Sequence, residues 1–441
     1  MTRISVIGTG YVGLVSAAGF AALGHDVIGY DIDEQKIATL ESGGCPIYEP
    51  GLEELLAEGR ASGRLRFTAD LGAAVAASDV VFVCVGTPQA DDGTADLTQV
   101  EAVARDIAAH MTEGTVVVEK STVPVKTAQW IRRTIELCGG RGFSVASNPE
   151  FLREGSAVQD FLEPERIVLG VADEQAREAL LDIYAGIDCP KVVVDIETAE
   201  IIKHASNSFL AMKISYINMI ADLCEAVGAD VRQVAEGMGL DSRIGPKFLA
   251  AGIGYGGSCF PKDVRAFMRI AEQHDVNVGL LDETDRINEA RVARLVARMR
   301  NDLWNLKGKK IALWGLAFKP GTDDVREAPS LRLARQLHAE GAILTGWDPV
   351  ARETFLRAVG ELPVEICDSP QDAAAGADAV IVVTDWPELR EVDLASVAGR
   401  MRSPYLFDGR NWLDPEACAS AGFWYRATGR PGVETVPGQA S

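Results

Sequence analysis

The chain has 441 residues, enough for two or three domains with cores of their own. Its 47% hydrophobic and 24% charged residues are ordinary for a globular protein, and no run of 18 apolar residues offers a membrane span. A formal charge of −21 argues against nucleic acid as a partner, and means that an anionic substrate must be captured by individual Lys and Arg side chains.

The start of the chain predicts a strand over 3–8, a helix over 11–23 and a second strand over 26–31, with no apolar leader ahead of them. Between strand and helix, Gly8-Thr9-Gly10-Tyr11-Val12-Gly13 fits G-x-G-x-x-G. Gly8 permits the tight turn, Gly10 lets a pyrophosphate approach the backbone, and Gly13 lets helix and strand pack closely. Asp31, closing the second strand, suits the adenosine ribose hydroxyls and repels a 2′-phosphate, so NAD is expected rather than NADP. Lys36 stands close enough in sequence to bear on that choice.

Further strands are predicted at 80–85, 115–120, 143–147 and 167–171, with helical stretches between several of them. Such alternation implies a parallel sheet covered on both faces. From Thr198 to about Val227 the pattern becomes one helix of roughly 45 Å, with Thr198 as N-cap and Gly228 as stop. A helix of this length either joins two lobes and offers a dimer surface, or is a buried core helix.

Eight cysteines (Cys45, Cys84, Cys138, Cys189, Cys224, Cys259, Cys367 and Cys418) contain no CxxC pair and no metal-like spacing with His. Free thiols in a cytoplasmic protein are the simplest expectation. Cys84 lies in the apolar run Asp79-Val80-Val81-Phe82-Val83-Cys84-Val85 and reads as packing. Cys259 sits instead in Gly256-Gly257-Ser258-Cys259-Phe260-Pro261-Lys262-Asp263. A thiolate there can trap an aldehyde as a thiohemiacetal, which still has a hydride to give. Beside a nicotinamide cofactor, that points to a four-electron oxidation of an alcohol to an acid.

The remainder repeats the opening theme, with strands at 309–316, 342–347, 379–384 and 405–407 and a helix from Ser330. Gly315-Leu316-Ala317-Phe318 lacks the full glycine triplet, so this domain is expected to hold a nucleotide differently, if at all. The expected architecture is α/β: two doubly wound Rossmann-like domains joined by a long central helix. The boundaries are 1–197 for NAD binding, 198–300 for the central helical dimerisation domain, 301–428 for the second Rossmann-like domain, and 429–441 for a Pro/Gly-rich tail expected to be disordered.

With the glycine signature and the Cys259 octapeptide come Cys84-Val85-Gly86-Thr87-Pro88, Ser121-Thr122-Val123-Pro124 and Asn148-Pro149-Glu150-Phe151-Leu152-Arg153-Glu154-Gly155. Lys203-His204-Ala205-Ser206-Asn207, Arg243-Ile244-Gly245, Phe318-Lys319 and Phe407-Asp408-Gly409-Arg410 follow. In this order, from Met1 to about Trp412, they resemble the UDP-glucose/GDP-mannose dehydrogenase family. Phe260 matches the UDP-glucose branch better than the leucine usual in GDP-mannose enzymes, while Arg153 stands where alanine is common.

The resemblance implies oxidation of the glucose C6 alcohol of UDP-glucose to a carboxylate with two NAD reduced, with 301–428 as the UDP-sugar-binding domain, in a homodimer joined through the central helix. It makes Cys259 the nucleophile, puts Lys203 and Asn207 near the oxyanion, and has Asp263 and Thr122 hold a water. Glu150 becomes the candidate base for thioester hydrolysis, although which carboxylate acts at which step is not legible. On the cofactor side the resemblance places Thr87, Thr122, Glu154, Lys262 and Arg326 with the glycine loop and Asp31. On the substrate side it places Glu150, Phe151, Leu152, Glu154, Phe248, Tyr255, Gly256, Phe318, Lys319 and Arg410, with Arg243 reaching a neighbouring subunit's site. The same chemistry on GDP-mannose or an N-acetylated UDP-sugar is the nearest alternative. A two-electron hydroxy acid dehydrogenase would leave Cys259 and the last domain unexplained, and a non-catalytic NAD-binding scaffold would leave Cys259 without a task.

Overall fold

The computed structural model describes residues 1–88 and 94–432. Contacts divide the chain into two compact units, Met1–Ser206 with Arg265–Val276, and Asn207–Val264 with Asn277–Ser441. The segment 198–300, expected as a central domain, therefore contributes residues to both.

In the first unit, β1 (Arg3–Ile7), β2 (Asp26–Tyr30), β3 (Leu65–Thr68), β4 (Val80–Val83), β5 (Val116–Glu119), β6 (Ser144–Ser147), β7 (Ile167–Val171) and β8 (Lys191–Val194) form one sheet. Their order is β3-β2-β1-β4-β5-β6-β7-β8. Side chains alternate between two cores: Ile4, Val6, Phe82 and Val118 face one, Ile7, Val81, Val83 and Val117 the other. Phe20, from the helix Tyr11–Ala22, packs edge-on to Phe161 at 5.2 Å between ring centres. Losing a fully buried ring of this kind costs about 3–5 kcal/mol.

The expected all-parallel sheet needs one correction, because β7 runs antiparallel to β6. The pairing is short, Ala146 with Val171 and Ser147 with Gly170, and the chain reaches it through 148–166 with only the six-residue helix Ala157–Leu162 on the way. β3 and β8 were absent from the sequence expectation. Each has only four residues, and the Lys-Val-Val-Val of β8 is half-buried at the sheet edge, too short for a period to register.

The second unit holds β9 (Lys310–Trp314), β10 (Ile343–Trp347), β11 (Val364–Ile366), β12 (Ala379–Val382), β13 (Tyr405–Asp408) and β14 (Trp424–Ala427). All pairings are parallel, in the order β11-β10-β9-β12-β13-β14, which is the doubly wound order. Trp314, Phe355, Tyr405, Phe423 and Tyr425 fill its core.

The long helix runs Ile196–Val227 and starts ahead of Thr198. Asp195 rather than Thr198 caps it: its carboxylate accepts the Thr198 N–H and hydroxyl, both at 2.8 Å. A carboxylate satisfies an orphan amide and also suits the positive end of the helix, which makes it the stronger acceptor here. Gly228 ends the helix at φ +78°, and Ala229 N–H reaches back to the Cys224 carbonyl at 2.9 Å, the six-to-one closure that needs a left-handed residue.

At the far end, Gly429 donates to Glu225 at 2.8 Å and accepts from Val231 at 2.9 Å, while Arg430 pairs with Asp230 at 3.1 Å. The start of the expected tail is thus bonded into the second unit, and 433–441 lie outside the described residues. All eight cysteines are free thiols. No helix among the described residues is long and apolar enough to cross a membrane.

Candidate active site

In the first unit the expected motifs gather where parallel strands end. β1, β4, β5 and β6 are successive neighbours, and their C-terminal ends lead into Gly8–Gly13, 84–88, 120–124 and 148–155 respectively. The strand order reverses between β1 and β4, which opens a crevice at that edge. Thr87 and Thr122 meet there, the Thr87 hydroxyl donating to the Thr122 carbonyl at 2.9 Å.

The glycine loop is built for a pyrophosphate. Gly8 has φ +97°, and a Cβ on it would stand 2.8 Å from the Cys84 carbonyl oxygen. A Cβ on Gly13 would stand 1.8 Å from the Gly8 carbonyl oxygen, so any side chain would push helix and strand apart. A Cβ on Gly10 would meet nothing within 4 Å, and Gly10 begins the helix Tyr11–Ala22 with no side-chain cap. Open space at an uncapped helix start is the shape and polarity that an anionic dinucleotide needs.

Asp31 is 7% exposed and already well supplied with donors. Its Oδ2 accepts from the Thr9 amide at 2.9 Å, the Thr9 hydroxyl at 2.8 Å and Lys36 Nζ at 2.8 Å, and Oδ1 from the Asp33 amide at 3.1 Å. Burial pushes its pKa up, but the donors from Lys36, Asp33 and Thr9 together hold it below the usual carboxylate value. Lys36, placed beside this choice by sequence alone, is thus the partner of Asp31.

The segment 148–157 carries a second set. Lys203 donates to Glu150 Oε1 at 2.8 Å and to the Glu150 carbonyl at 2.7 Å, and Glu150 Oε2 accepts the Leu152 amide at 2.6 Å. The Phe151 ring lies 5.3 Å from Lys203 Nζ and 3.9 Å from the Arg166 guanidinium. Arg153, the departure from the family pattern, pairs with Asp160 at 2.5 Å and keeps 63% of its side chain exposed. Its charge is thereby engaged at the surface.

Sequence reasoning missed several supports of this half. Lys120, buried, donates to Asn148 Oδ1 at 2.9 Å, and Tyr184 donates to the same oxygen at 2.5 Å. Burial lowers the Lys120 pKa and raises that of Glu119 well above its ordinary value. Glu200 accepts the amides of Lys126 at 2.6 Å and Ala128 at 3.2 Å, while His204 contacts the Val123 carbonyl at 2.7 Å. Together they brace the loop bearing Thr122. Glu49 accepts from the Tyr11 hydroxyl and from the amides of Gly155 and Ala157. A buried acid inside Tyr48-Glu49-Pro50-Gly51 leaves no periodic signal, so only the fold could expose it.

The second unit holds the thiol. Cys259, partly buried, precedes the helix Phe260–Gln273, and its carbonyl accepts the Asp263 amide at 2.8 Å. The cysteine therefore stands at the helix start, where partial positive charge favours an anion. Ser258 Oγ lies 3.5 Å from its sulfur. Asp263 is 1% exposed, and accepts from Asn207 Nδ2 at 2.6 Å and Lys262 Nζ at 2.8 Å. Four expected residues thus form one cluster.

Around it, Tyr255 and Phe248 flank Phe260 at 5.8 and 6.2 Å between ring centres. A Cβ on Gly256 would stand 2.4 Å from the Glu327 carbonyl oxygen, and one on Gly257 would stand 2.8 Å from the Phe318 ring. Arg410 spends its guanidinium on the carbonyls of Val383 at 2.7 Å and Gly254 at 3.0 Å, binding the β13 end to the loop before Cys259. Lys319 Nζ lies 5.3 Å from the Phe318 ring. Arg326 and Arg243 pair with Asp324 and Asp241 on the surface. Lys262 and Arg326, expected beside the cofactor, take these contacts from the second unit.

The two sheets begin alike and diverge chemically. Gly8 and Gly315 each donate to the end of the next strand, to Tyr30 at 2.7 Å and to Trp347 at 2.8 Å. Asp348, the counterpart of Asp31, accepts from Leu316, Ala317, Val350, Ala351 and the Trp386 indole, all within 3.0 Å. Its lone pairs hold the domain together.

Three family models cover the chain: the UDP-glucose/GDP-mannose dehydrogenase family's NAD binding domain at residues 2–188, central domain at 197–290 and UDP binding domain at 312–415. A UDP-glucose 6-dehydrogenase of Rhizobium meliloti (strain 1021) is 48% identical over 97% of this chain and 100% of its own length. The solved UDP-glucose dehydrogenase of Pyrobaculum islandicum is 42% identical, covers 98% of both chains and superposes with a TM-score of 0.91. A solved UDP-D-ManNAc dehydrogenase of Pyrococcus horikoshii is 30% identical over 97% of this chain and 99% of that one, with a TM-score of 0.86. The coenzyme for which the glycine loop is shaped is NAD. The chain belongs to the UDP-glucose/GDP-mannose dehydrogenase family and is an NAD-dependent dehydrogenase.

Proposed function

We propose that the chain oxidises UDP-glucose to UDP-glucuronate in two hydride-removing steps, with Cys259 holding the half-oxidised sugar between them. The carrying observation is the cluster at one helix start: a partly buried thiol, and one turn on, a buried carboxylate bridged by an amide and an ammonium. Relatives named as UDP-glucose dehydrogenases support the sugar. Bound NAD supplies the hydride acceptor, one molecule for each step.

In this reading the C6 hydroxyl proton leaves toward water held by Asp263 and Thr122 as the first C–H bond breaks. The Cys259 thiolate then adds to the aldehyde carbon, forming the C–S bond of a thiohemiacetal. The Lys203 ammonium and the Asn207 amide donate to the oxygen that carries the developing charge. Removal of the second hydride leaves a thioester. Glu150 takes a proton from water attacking it, the C–S bond breaks, and the thiolate leaves with its electron pair. Arg243, Lys319 and Arg410 are the cations assigned to the UDP-sugar, and Arg326 and Lys262 those assigned to the coenzyme side.

Incubating the enzyme with NAD and each of UDP-glucose, UDP-N-acetylmannosamine and GDP-mannose tests the proposal. Two NADH per UDP-glucose, with acid as product, is the expected result. One NADH per sugar contradicts the thioester route, and turnover of another sugar with UDP-glucose inert contradicts the substrate.

A homodimer through the long helix is part of the same proposal. Phe209, Tyr216, Met219, Leu223 and Val227 recur at helical spacing and are each more than 40% exposed, an apolar stripe that suits a second copy of the chain. Eight free thiols fit residence in the reducing cytoplasm.

A further inference from the structure

Glu49 lies in the turn between the helices Glu34–Glu41 and Leu52–Ala61 and is 5% exposed. An acid in a Pro-Gly turn is normally solvated; this one is folded inward and bonded to two of the motifs described above. Its Oε2 accepts from the Tyr11 hydroxyl and from the Gly155 amide at 2.6 Å, and its Oε1 accepts the Ala157 amide at 2.7 Å. The Gly155 amide also lies 3.2 Å from the Tyr11 oxygen. Tyr11 is the first residue of the helix that begins at Gly10. Gly155 and Ala157 end the segment that begins with Glu150.

The segment 150–157 is therefore gripped near both ends, with the Arg153–Asp160 pair between them. Lys203 grips Glu150 at its start, and Glu49 grips Gly155 and Ala157 at its end. Only the second grip is shared with the coenzyme loop. Burial and the neighbouring Glu49 carboxylate raise the Tyr11 pKa, so its hydroxyl stays a donor across the physiological range. A carboxylate with three donors in a buried setting is a strong and directional fixture.

The geometry points to Glu49 as a positioning residue: through Tyr11 it couples occupancy of the glycine loop by NAD to the placement of the segment 150–157, and so of Glu150. This deepens the proposed function and rests on it where Glu150 is the base of thioester hydrolysis. Glu49 touches no reacting atom. It acts by making the coenzyme's helix start and the hydrolytic segment one mechanical piece.

The experiment compares the full-length wild-type chain with Glu49→Gln and Tyr11→Phe. Amide hydrogen exchange across 148–162 is followed with and without NAD, alongside kcat and KM for UDP-glucose. Glu49→Gln removes one acceptor oxygen, so exchange at Gly155 or Ala157 is expected to rise by about tenfold without any ligand. Its kcat is expected to fall by about 10- to 100-fold with little change in KM, the mark of a displaced catalytic group. Tyr11→Phe leaves the Glu49 bonds to Gly155 and Ala157 in place, and is expected to abolish the extra protection that NAD gives to 148–162 in the wild type.

If Glu49 merely caps the short helix that follows, Tyr11→Phe will show the wild-type response to NAD and the proposal fails. It fails equally if NAD leaves 148–162 unprotected in the wild type. Should Glu49→Gln be too unstable to purify, Tyr11→Phe decides alone. A wild-type enzyme inert on UDP-glucose, but with NAD-dependent protection lost in Tyr11→Phe, would overturn the substrate assignment and leave the coupling standing.

Discussion

Lys203 Nζ binds both the carboxylate and the main-chain carbonyl of Glu150, at 2.8 and 2.7 Å, and the two side chains are 5% and 4% exposed. Neither charge is tolerable there alone. Replacing Lys203 by Met is expected to lower unfolding free energy by about 3–5 kcal/mol, because a buried carboxylate loses its cation. Urea denaturation measures this, and a Lys203→Met, Glu150→Leu double variant is expected to recover most of the loss. Additive losses in the double variant would show the two residues to be independent.

Cys259→Ala is expected to stop acid formation from UDP-glucose while leaving NAD affinity unchanged, since the substitution leaves the glycine loop intact. Quantifying UDP-glucuronate by chromatography and NAD binding by calorimetry separates the two effects. Acid output at the wild-type rate would remove the thiol from the mechanism.

Asp31 and Lys36 form one ion pair at 2.8 Å, so the acid proposed to meet the ribose already restrains a cation. Asp31→Ser is expected to free Lys36 toward a 2′-phosphate. The ratio of kcat/KM with NAD to that with NADP should fall by about 10- to 100-fold, the worth of one or two charge-assisted hydrogen bonds. An unchanged ratio would mean that Asp31 plays no part in discrimination.

Burial lifts the Glu200 carboxyl to about 7, against the opposing pull of the Lys126 and Ala128 amides. Its folded pKa thus lies above the unfolded carboxylate value of about 4.3. The stability it contributes is complete below that unfolded value and is lost as pH rises through about 7. Glu119, buried and also raised, acts in the same direction. Glu200→Gln keeps a neutral side chain throughout, so its stability relative to wild type is expected to rise between pH 4.5 and 7. Denaturant midpoints across that window check it; parallel pH profiles would contradict it.

Leu223→Glu places a charge in the middle of the exposed apolar stripe, where it is 58% exposed in the single chain. A folded monomer by light scattering is expected, with the wild type a dimer at the same concentration. A variant that stays dimeric would put the contact elsewhere on the molecule.

Much of the chemistry was legible in the residues because it depends on local backbone demands. Gly8 and Gly13 are needed where a Cβ would strike a carbonyl within 3 Å, and such needs leave a pattern in sequence. In the second sheet Gly315 is left-handed too, at φ +89°, so its one glycine was legible, whereas the capture of Asp348 by the Leu316 and Ala317 amides was not. The long helix was legible for a similar reason: Gly228 must be left-handed to end it. Its start was misplaced because Asp195 and Thr198 are both good caps, and only the hydrogen bonds rank them.

The sequence by itself determined the coenzyme loop and the family and singled out Cys259 for the proposal, since each rests on residue types at short spacing. Tertiary structure alone decided the partners: Lys203 with Glu150 53 positions away, Glu49 with Gly155 106 away, and the reversed direction of β7. Such pairings carry no local signature, because what selects them is the cost of leaving a buried charge or amide unmatched, and that cost exists only once the chain has closed around it.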